Sequence, residues 1–489
     1  MNLLAAEATF SEFTCLSSDS ILVAAERCLD NGTGVCFIVD GHRRLLGRIT
    51  LDHIRAAVVD GRALLDAALE RLLPDTSAAL AEPPAENEAV MPVLAEDGRL
   101  IDVLVDRSKA FVQVARPDLS HHEFRAVLDA FLSSWISSKG AYIERFERDF
   151  ASFVGMKHAI ATSNGTVALH LALVALGIGP GDEVIVPDLT FAATINAVLY
   201  CGATPVIIDV DPVMWTMSLK DVTAACTART KAIIPVHLYG RPAEMAPIAE
   251  FAARRKIHIV EDCAEAHGAK YAGRTVGQFS EISCFSFYAN KIVTTGEGGM
   301  CVTNSLALAA VLQELRSHGM APNKAYWHDR VGYNYRMTNL QAAIGHSQLH
   351  RIGETLRRNS NLERLYRRHL ETIPGVSFAP LVAGHCEPVV WLVCARVPAD
   401  SRADIIAAAA KAGLELRPFF HRLSDMPPYR AFARACPVSA ELARTGINLP
   451  TSNAVDLRVI EKIASVFRDV LGQSHPRPST AAGDQIPLT

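Results

Sequence analysis

The chain has 489 residues, 49% hydrophobic and 20% charged, with a formal net charge of −4. That length exceeds one ordinary domain, and the charge balance offers no basic field to gather nucleic acid, so a phosphate-bearing ligand must be held locally. Eleven cysteines stand singly with no Cys-x-x-Cys pair, which suggests neither a disulfide framework nor a metal site, and no charge-free run of about 18 apolar residues reads as a membrane span. The opening MNLLAAEATF lacks the basic and apolar regions of a signal peptide, so a soluble cytoplasmic protein is expected.

Taken in chain order, residues 35–50 and 90–105 resemble each other. Each reads strand, turn, strand, with Asp40-Gly41 and Asp97-Gly98 as the tight turns. After the first copy, Thr50 is placed to cap a helix whose apolar face runs through Leu51, Ile54 and Val58. Two such copies resemble a CBS-domain pair, which implies a regulatory unit over residues 1–112 that takes a nucleotide effector. A docking or oligomerisation unit without ligand is the alternative. The stretch Leu73 to Glu88, rich in Pro, Ala and Glu, reads as the link between the copies.

From about Arg116 the pattern changes to alternating helices and strands. Apolar β-rich runs begin at Val184, Pro205, Ala232, Ile257 and Ser283, with stretches of helical length between most of them. Continuous apolar strands joined by crossover helices predict an α/β domain with a mainly parallel sheet buried on both faces. In such sheets ligands gather at the carboxyl ends of the strands. A long helical stretch over 339–370 and a smaller α+β unit to about Gly472 follow, and the tail 473–489, rich in proline and poor in apolar residues, is expected to be disordered. The expected units are therefore 1–112, 113–355, 356–472 and the tail.

Three segments point to chemistry. In Thr162-Ser-Asn-Gly-Thr a polar turn opens an apolar helix. Asn164 is a good N-cap there, Gly165 permits close backbone approach, and the free N–H groups of the first turn favour an anion. Asp262 lies at the carboxyl end of a buried strand, where a lone carboxylate is costly unless paired or used to cap the next helix. Lys291 follows a strand and precedes the Gly-rich run Thr295-Gly-Glu-Gly-Gly. A lysine held in such a loop can lose its proton and attack a carbonyl.

These motifs, with Pro187-Asp-Leu-Thr-Phe-Ala-Ala-Thr, Glu261-Asp-Cys-Ala-Glu-Ala-His-Gly and Ser286-Phe-Tyr-Ala-Asn-Lys, occur in the order found in the DegT/DnrJ/EryC1/StrS sugar aminotransferases, which the chain resembles from about Asp118 to Tyr429. The resemblance implies fold type I, a smaller C-terminal domain, and pyridoxal 5′-phosphate as cofactor, passing through pyridoxamine phosphate between two half-reactions. It implies Lys291 as the cofactor-holding lysine and Asp262 as partner of the ring nitrogen. It further implies Glu265 beside the cofactor where many members have glutamine, Phe191 stacked on the ring, and Asn164, Gly165, Thr166 and Ser286 around the phosphate. Asn334 resembles an asparagine that reaches the phosphate from a neighbouring subunit, so a homodimer or larger assembly is expected.

Because Lys291 is kept, where some members carry histidine and dehydrate their substrate, amine transfer is the implied reaction. L-glutamate is the implied donor. Glu265, the run after Lys291 and the segment Arg417-Pro-Phe-Phe-His are most similar to a branch that aminates GDP-4-keto-6-deoxymannose for surface polysaccharide. A UDP- or dTDP-linked keto-sugar aminated at C3 or C4 remains open, as does a cofactor-binding regulator without turnover. Trp327, Tyr335, Arg336 and His421 lie in loops beside these motifs and are the candidate sugar contacts, with subunit-interface packing the alternative for each.

Overall fold

The computed structural model describes residues 11–59, Leu69 and 89–474. The expected link Leu73 to Glu88 and most of the expected tail lie outside the described residues.

The N-terminal residues form strand β1 (Thr14–Leu16), the helix Ile21–Asp30, strands β2 (Val35–Val39) and β3 (Leu45–Thr50), and the helix Leu51–Val59. β1 pairs parallel to β2, and β2 pairs antiparallel to β3. Thr50 begins the second helix as its spacing predicts, its hydroxyl accepting from His53 N at 3.3 Å. The second segment forms only a hairpin, β4 (Val90–Leu94) with β5 (Leu100–Val105), packed on the first through Phe13, Phe37, Val39, Leu100 and Val103.

This corrects the expected pair of equal copies. Among the described residues one copy has its α-helices while the other is followed only by the short 3-10 turn Arg107–Lys109, and no separate CBS-like pair is formed. The unit is also docked: Arg107 donates to the carbonyl of Asn453, Arg116 to that of Gly32, and Lys462 Nζ to that of Ser108 at 2.7 Å. Arg125 grips Glu26 through two hydrogen bonds of 2.6 and 2.8 Å.

The central sheet has seven strands, in the order β6 (His158–Thr162), β14 (Gly299–Thr303), β13 (Ile282–Ser286), β10 (His258–Asp262), β9 (Thr230–Ile233), β7 (Glu183–Pro187) and β8 (Thr204–Ile208). Only β14 runs against the rest, so the expected mainly parallel sheet is formed. β7, β13 and β14 are buried along their whole length, because helices cover both faces. Between β10 and β13 the chain forms the hairpin β11 (Lys270–Tyr271) and β12 (Arg274–Thr275), to which the later strand β15 (Cys386–Glu387) adds to make a small three-stranded sheet.

The expected helical stretch is two helices, Asn339–His350 and Ile352–Leu370, broken at Arg351, whose guanidinium is turned to Glu123 and the carbonyl of Asp118. Beyond them, β16 (Val393–Arg396), β18 (Gly446–Leu449) and β17 (Arg417–Pro418) make a three-stranded antiparallel sheet, covered by the helices Ala399–Lys411 and Leu457–Ser474. The eleven cysteines are free thiols, most of them buried as small apolar groups.

A buried polar knot fixes the edge of the sheet where the motifs meet. The Glu261 carboxylate accepts from Gly277 N and Phe279 N, both at 2.8 Å, and from the hydroxyls of Ser280 and Ser283. His237 accepts from Ala243 N at Nδ1 (3.0 Å), which leaves the proton on Nε2 to face Glu261 at 3.1 Å. Burial alone would raise the Glu261 pKa, but the hydrogen bonds from His237 and the backbone outweigh it and hold the carboxyl below its ordinary value. Its stabilisation is therefore full above the ordinary carboxylate pKa and is lost as the pH falls through the depressed folded value. Glu261→Ala, which orphans these donors, is expected to cost about 3–5 kcal/mol. Urea unfolding at matched protein concentration checks this, and an unchanged midpoint would contradict the assigned role.

Candidate active site

The parallel strands end at one edge of the sheet, and the chemically notable side chains emerge there. Asp262 is the last residue of β10 and is buried. Its carboxylate accepts from the Thr194 hydroxyl at 2.9 Å and from Ala264 N at 3.2 Å. Burial pushes its pKa up, against the opposing effect of these hydrogen bonds and of nearby Lys291.

Lys291 lies in the turn between β13 and β14, its side chain only 11% exposed. The ammonium is 3.4 Å from Glu265 Oε1 and sits 3.6 Å from the centre of the Trp391 ring. Trp391 is itself fixed by its indole N–H, which donates to the carbonyl of Asn290 at 2.7 Å. Burial pushes Lys291 below its ordinary pKa, and Glu265 and Asp262 only partly restore the charged form. Glu265 is buried with its own pKa raised by burial, and its second oxygen accepts from Tyr239 N at 2.7 Å.

The anion-binding geometry is built on the helix Gly165–Ala175. Asn164 caps it, accepting from Val167 N at 3.0 Å, which leaves the N–H groups of Gly165 and Thr166 at the helix mouth. A Cβ on Gly165 would stand 2.7 Å from the Cβ of Ser286, so only glycine lets the helix start approach that serine. Phe191 keeps 58% of its surface exposed, with its ring 5.7 Å from Phe420. This set suits pyridoxal phosphate: a helix mouth with a hydroxyl for a phosphate, an open aromatic face for a ring, a buried carboxylate for a ring N–H, and a lysine of lowered pKa for a carbonyl.

Several sequence-predicted residues stand apart from this cluster. Asn334 is exposed and takes a hydrogen bond from Arg336 Nε at 3.2 Å. Tyr335 lies on Tyr333, stacked at 4.8 Å, with its hydroxyl 3.1 Å from His170, and its backbone carbonyl accepts from Ser163 N beside the cap. Arg336 is 3.3 Å from His318, and Trp327 is held locally by Asp329 and Lys324. His421 is exposed and follows Phe420, which packs on Phe191.

Trp391 and Tyr239 lie outside the sequence motifs, while Asp188 lies within the Pro187 motif with no role assigned to it there. Asp188 is buried, accepts from Ser424 N at 2.8 Å, and ties the loop bearing His421 to the end of β7. Thr194 had a signal, as the last residue of the quoted Pro187 motif. Trp391 had none, because its contact with Lys291 spans a hundred residues of chain.

The DegT/DnrJ/EryC1/StrS aminotransferase family profile matches residues 117–468, most of the chain. The chain belongs to that family. Among relatives, the GDP-perosamine synthase of Caulobacter vibrioides is 45% identical over 370 residues, covering 74% of this chain and 98% of that one. The enzyme of the same name from Escherichia coli O157:H7 is 42% identical over 364 residues, covering 73% and 99%. The crystal structure of the aminotransferase TlmJ from Streptoalloteichus hindustanus superposes with a TM-score of 0.70 at 29% identity, covering 74% of this chain and 99% of that one. The protein thus has the fold of the type I aminotransferases, it is a transaminase, and its cofactor is pyridoxal 5′-phosphate. No helix among the described residues is long and apolar enough to cross a membrane.

The Lys291–Glu265 contact has a measurable consequence. Removing the carboxylate charge withdraws support for the ammonium, so Glu265→Gln should lower the Lys291 pKa further. The pH dependence of the reaction of Lys291 with a small carbonyl compound in cofactor-free protein reads this directly. A value equal to that of the unmodified protein would refute the charge coupling.

Proposed function

We propose that the protein transfers the amino group of L-glutamate to the 4-keto group of GDP-4-keto-6-deoxymannose, giving GDP-perosamine for surface polysaccharide. The observation that carries the chemistry is the convergence of Lys291, Glu265 and Asp262 at one edge of the sheet, beside the capped helix mouth at Gly165. The sugar assignment rests on the relatives named above, which this chain spans almost end to end.

In this reading pyridoxal phosphate supplies an electron sink for the electrons left when the donor Cα loses its proton. Lys291 would hold the cofactor at its carbonyl carbon, and its amine, when free, would be the base that moves the proton from the donor Cα. Its lowered pKa keeps a neutral fraction available for both tasks. Asp262 would keep the ring nitrogen protonated, and Thr194 and Ala264 hold its carboxylate still. Gly165, Thr166 and Ser286 would hold the phosphate, and Phe191 offers an open aromatic face for the ring. Glu265 steadies the lysine charge before the cofactor is bound.

Asn334 is an exposed side chain on a loop that also holds Trp327, Tyr335 and Arg336. Exposure there suits a second copy of the chain completing the phosphate site and the sugar pocket, with His421 approaching from the Phe191 side. For the N-terminal unit the docking reading is favoured over a nucleotide sensor, because Arg107 and Arg116 are spent on backbone carbonyls.

Incubation with L-glutamate and GDP-4-keto-6-deoxymannose, beside UDP- and dTDP-linked keto-sugars, is expected to yield an amino sugar and 2-oxoglutarate from the GDP substrate. Lys291→Ala should abolish turnover, and Asp262→Asn should slow it about 100-fold or more, the scale of removing a preorganised electrostatic partner. Conversion of only a UDP or dTDP sugar would discard the substrate, and a wild-type rate in Asp262→Asn would discard the electronic role.

A further inference from the structure

The helices Ala141–Val154 and Asn339–His350 run against each other. They approach so closely that a Cβ on Gly345 would stand 2.6 Å from the Phe146 ring. His346 and His350, one turn apart on the second helix, there face Asp149 of the first.

His346 Nε2 lies 3.1 Å from Asp149 Oδ2, and His350 Nε2 lies 3.2 Å from His346 Nε2 and 3.7 Å from the same carboxylate oxygen. Nitrogen and oxygen ligands about 2.0–2.1 Å from a tetrahedral zinc ion are about 3.3 Å apart. The three separations therefore outline one face of such a tetrahedron, with the fourth corner toward solvent.

The surrounding groups orient the donors. Arg148 donates to the other oxygen of Asp149, Oδ1, at 2.9 Å and leaves Oδ2 free to turn to the histidines. The Tyr142 ring meets His346 edge-on at 5.9 Å. Arg148 and Arg145, the latter held over Tyr142, are the nearby cations and set an upper limit on affinity.

Among the described residues one other trio, His237, Glu261 and Cys263, brings donor atoms equally close. There both histidine nitrogens and the carboxylate are already committed within the buried knot, so a cation would find no free lone pair on the histidine. The sequence carried the surface trio only as a His-x-x-x-His spacing, which the cysteine pattern could not reveal.

We propose that Asp149, His346 and His350 bind one divalent transition-metal ion, zinc by the character of the ligands, with a water completing the fourth position. Two imidazoles and one carboxylate select zinc, nickel or copper over magnesium and calcium. The ion clamps the two helices together. The clamped helix also braces the turn that follows Lys291, through Gln341 Nε2 donating to the carbonyl of Glu297 at 2.6 Å.

The test is calorimetric titration of chelator-stripped holoenzyme with zinc chloride in phosphate-free buffer, with magnesium as control, repeated on His350→Gln and Asp149→Asn. His350 is exposed, so its substitution spares the packing. The expected result is one zinc per chain with no magnesium response, a thermal midpoint raised by zinc, and affinity at least about tenfold weaker in both variants. Equal binding by wild type and both variants, or no zinc binding by the wild type, would overturn the site.

Discussion

An ammonium and two carboxylates share one nearly dry corner of this protein, and the rest of the architecture serves to make that tolerable. Burial raises the pKa values of Asp262 and Glu265 and lowers that of Lys291, so each group is biased toward its neutral form. Their mutual attraction only partly offsets the loss of water. Formal charges of one plus and two minus leave a deficit of one cation. In the proposed reading a protonated pyridine ring beside Asp262 would supply it, the same charge that would make the ring an electron sink. The same logic explains the neutrality of His267, which burial and nearby Lys291 push down to about 3.

Holding these groups in register is a task for the strand ends. Asp262 follows directly on Glu261, whose carboxylate gathers backbone N–H groups and hydroxyls from the segment leading into β13. That strand in turn leads to Ser286 and Lys291. One face of β10 thus anchors the scaffold while the next residue faces the chemistry. At the other side, Asp188 pins the loop after Phe420, which carries Phe420 onto Phe191.

Much of this was legible in the sequence, for identifiable reasons. The apolar runs at Val184, Pro205, Ala232, Ile257 and Ser283 all lie in or at the edge of sheet strands, because a strand covered on both faces needs no polar alternation. The Asp-Gly turns located both N-terminal hairpins. The parallel β1 and the helix Ile21–Asp30 escaped notice, and the second hairpin resembled the first without sharing its helices. Lys291, Asp262 and the Asn164 cap were visible as local motifs. Trp391, Tyr239 and the His237–Glu261 knot were not, since each acts through a contact between distant stretches of chain that periodicity and spacing do not encode.

The central claim is that Lys291 is the residue joined to the cofactor. Reduction of the holoenzyme with borohydride fixes the cofactor to whichever lysine holds it, and peptide mass spectrometry then locates the added mass. The account predicts that mass on the peptide containing Lys291, and its disappearance from that peptide when L-glutamate is added before the reductant. Label on another lysine, or label at Lys291 that glutamate leaves in place, would contradict it.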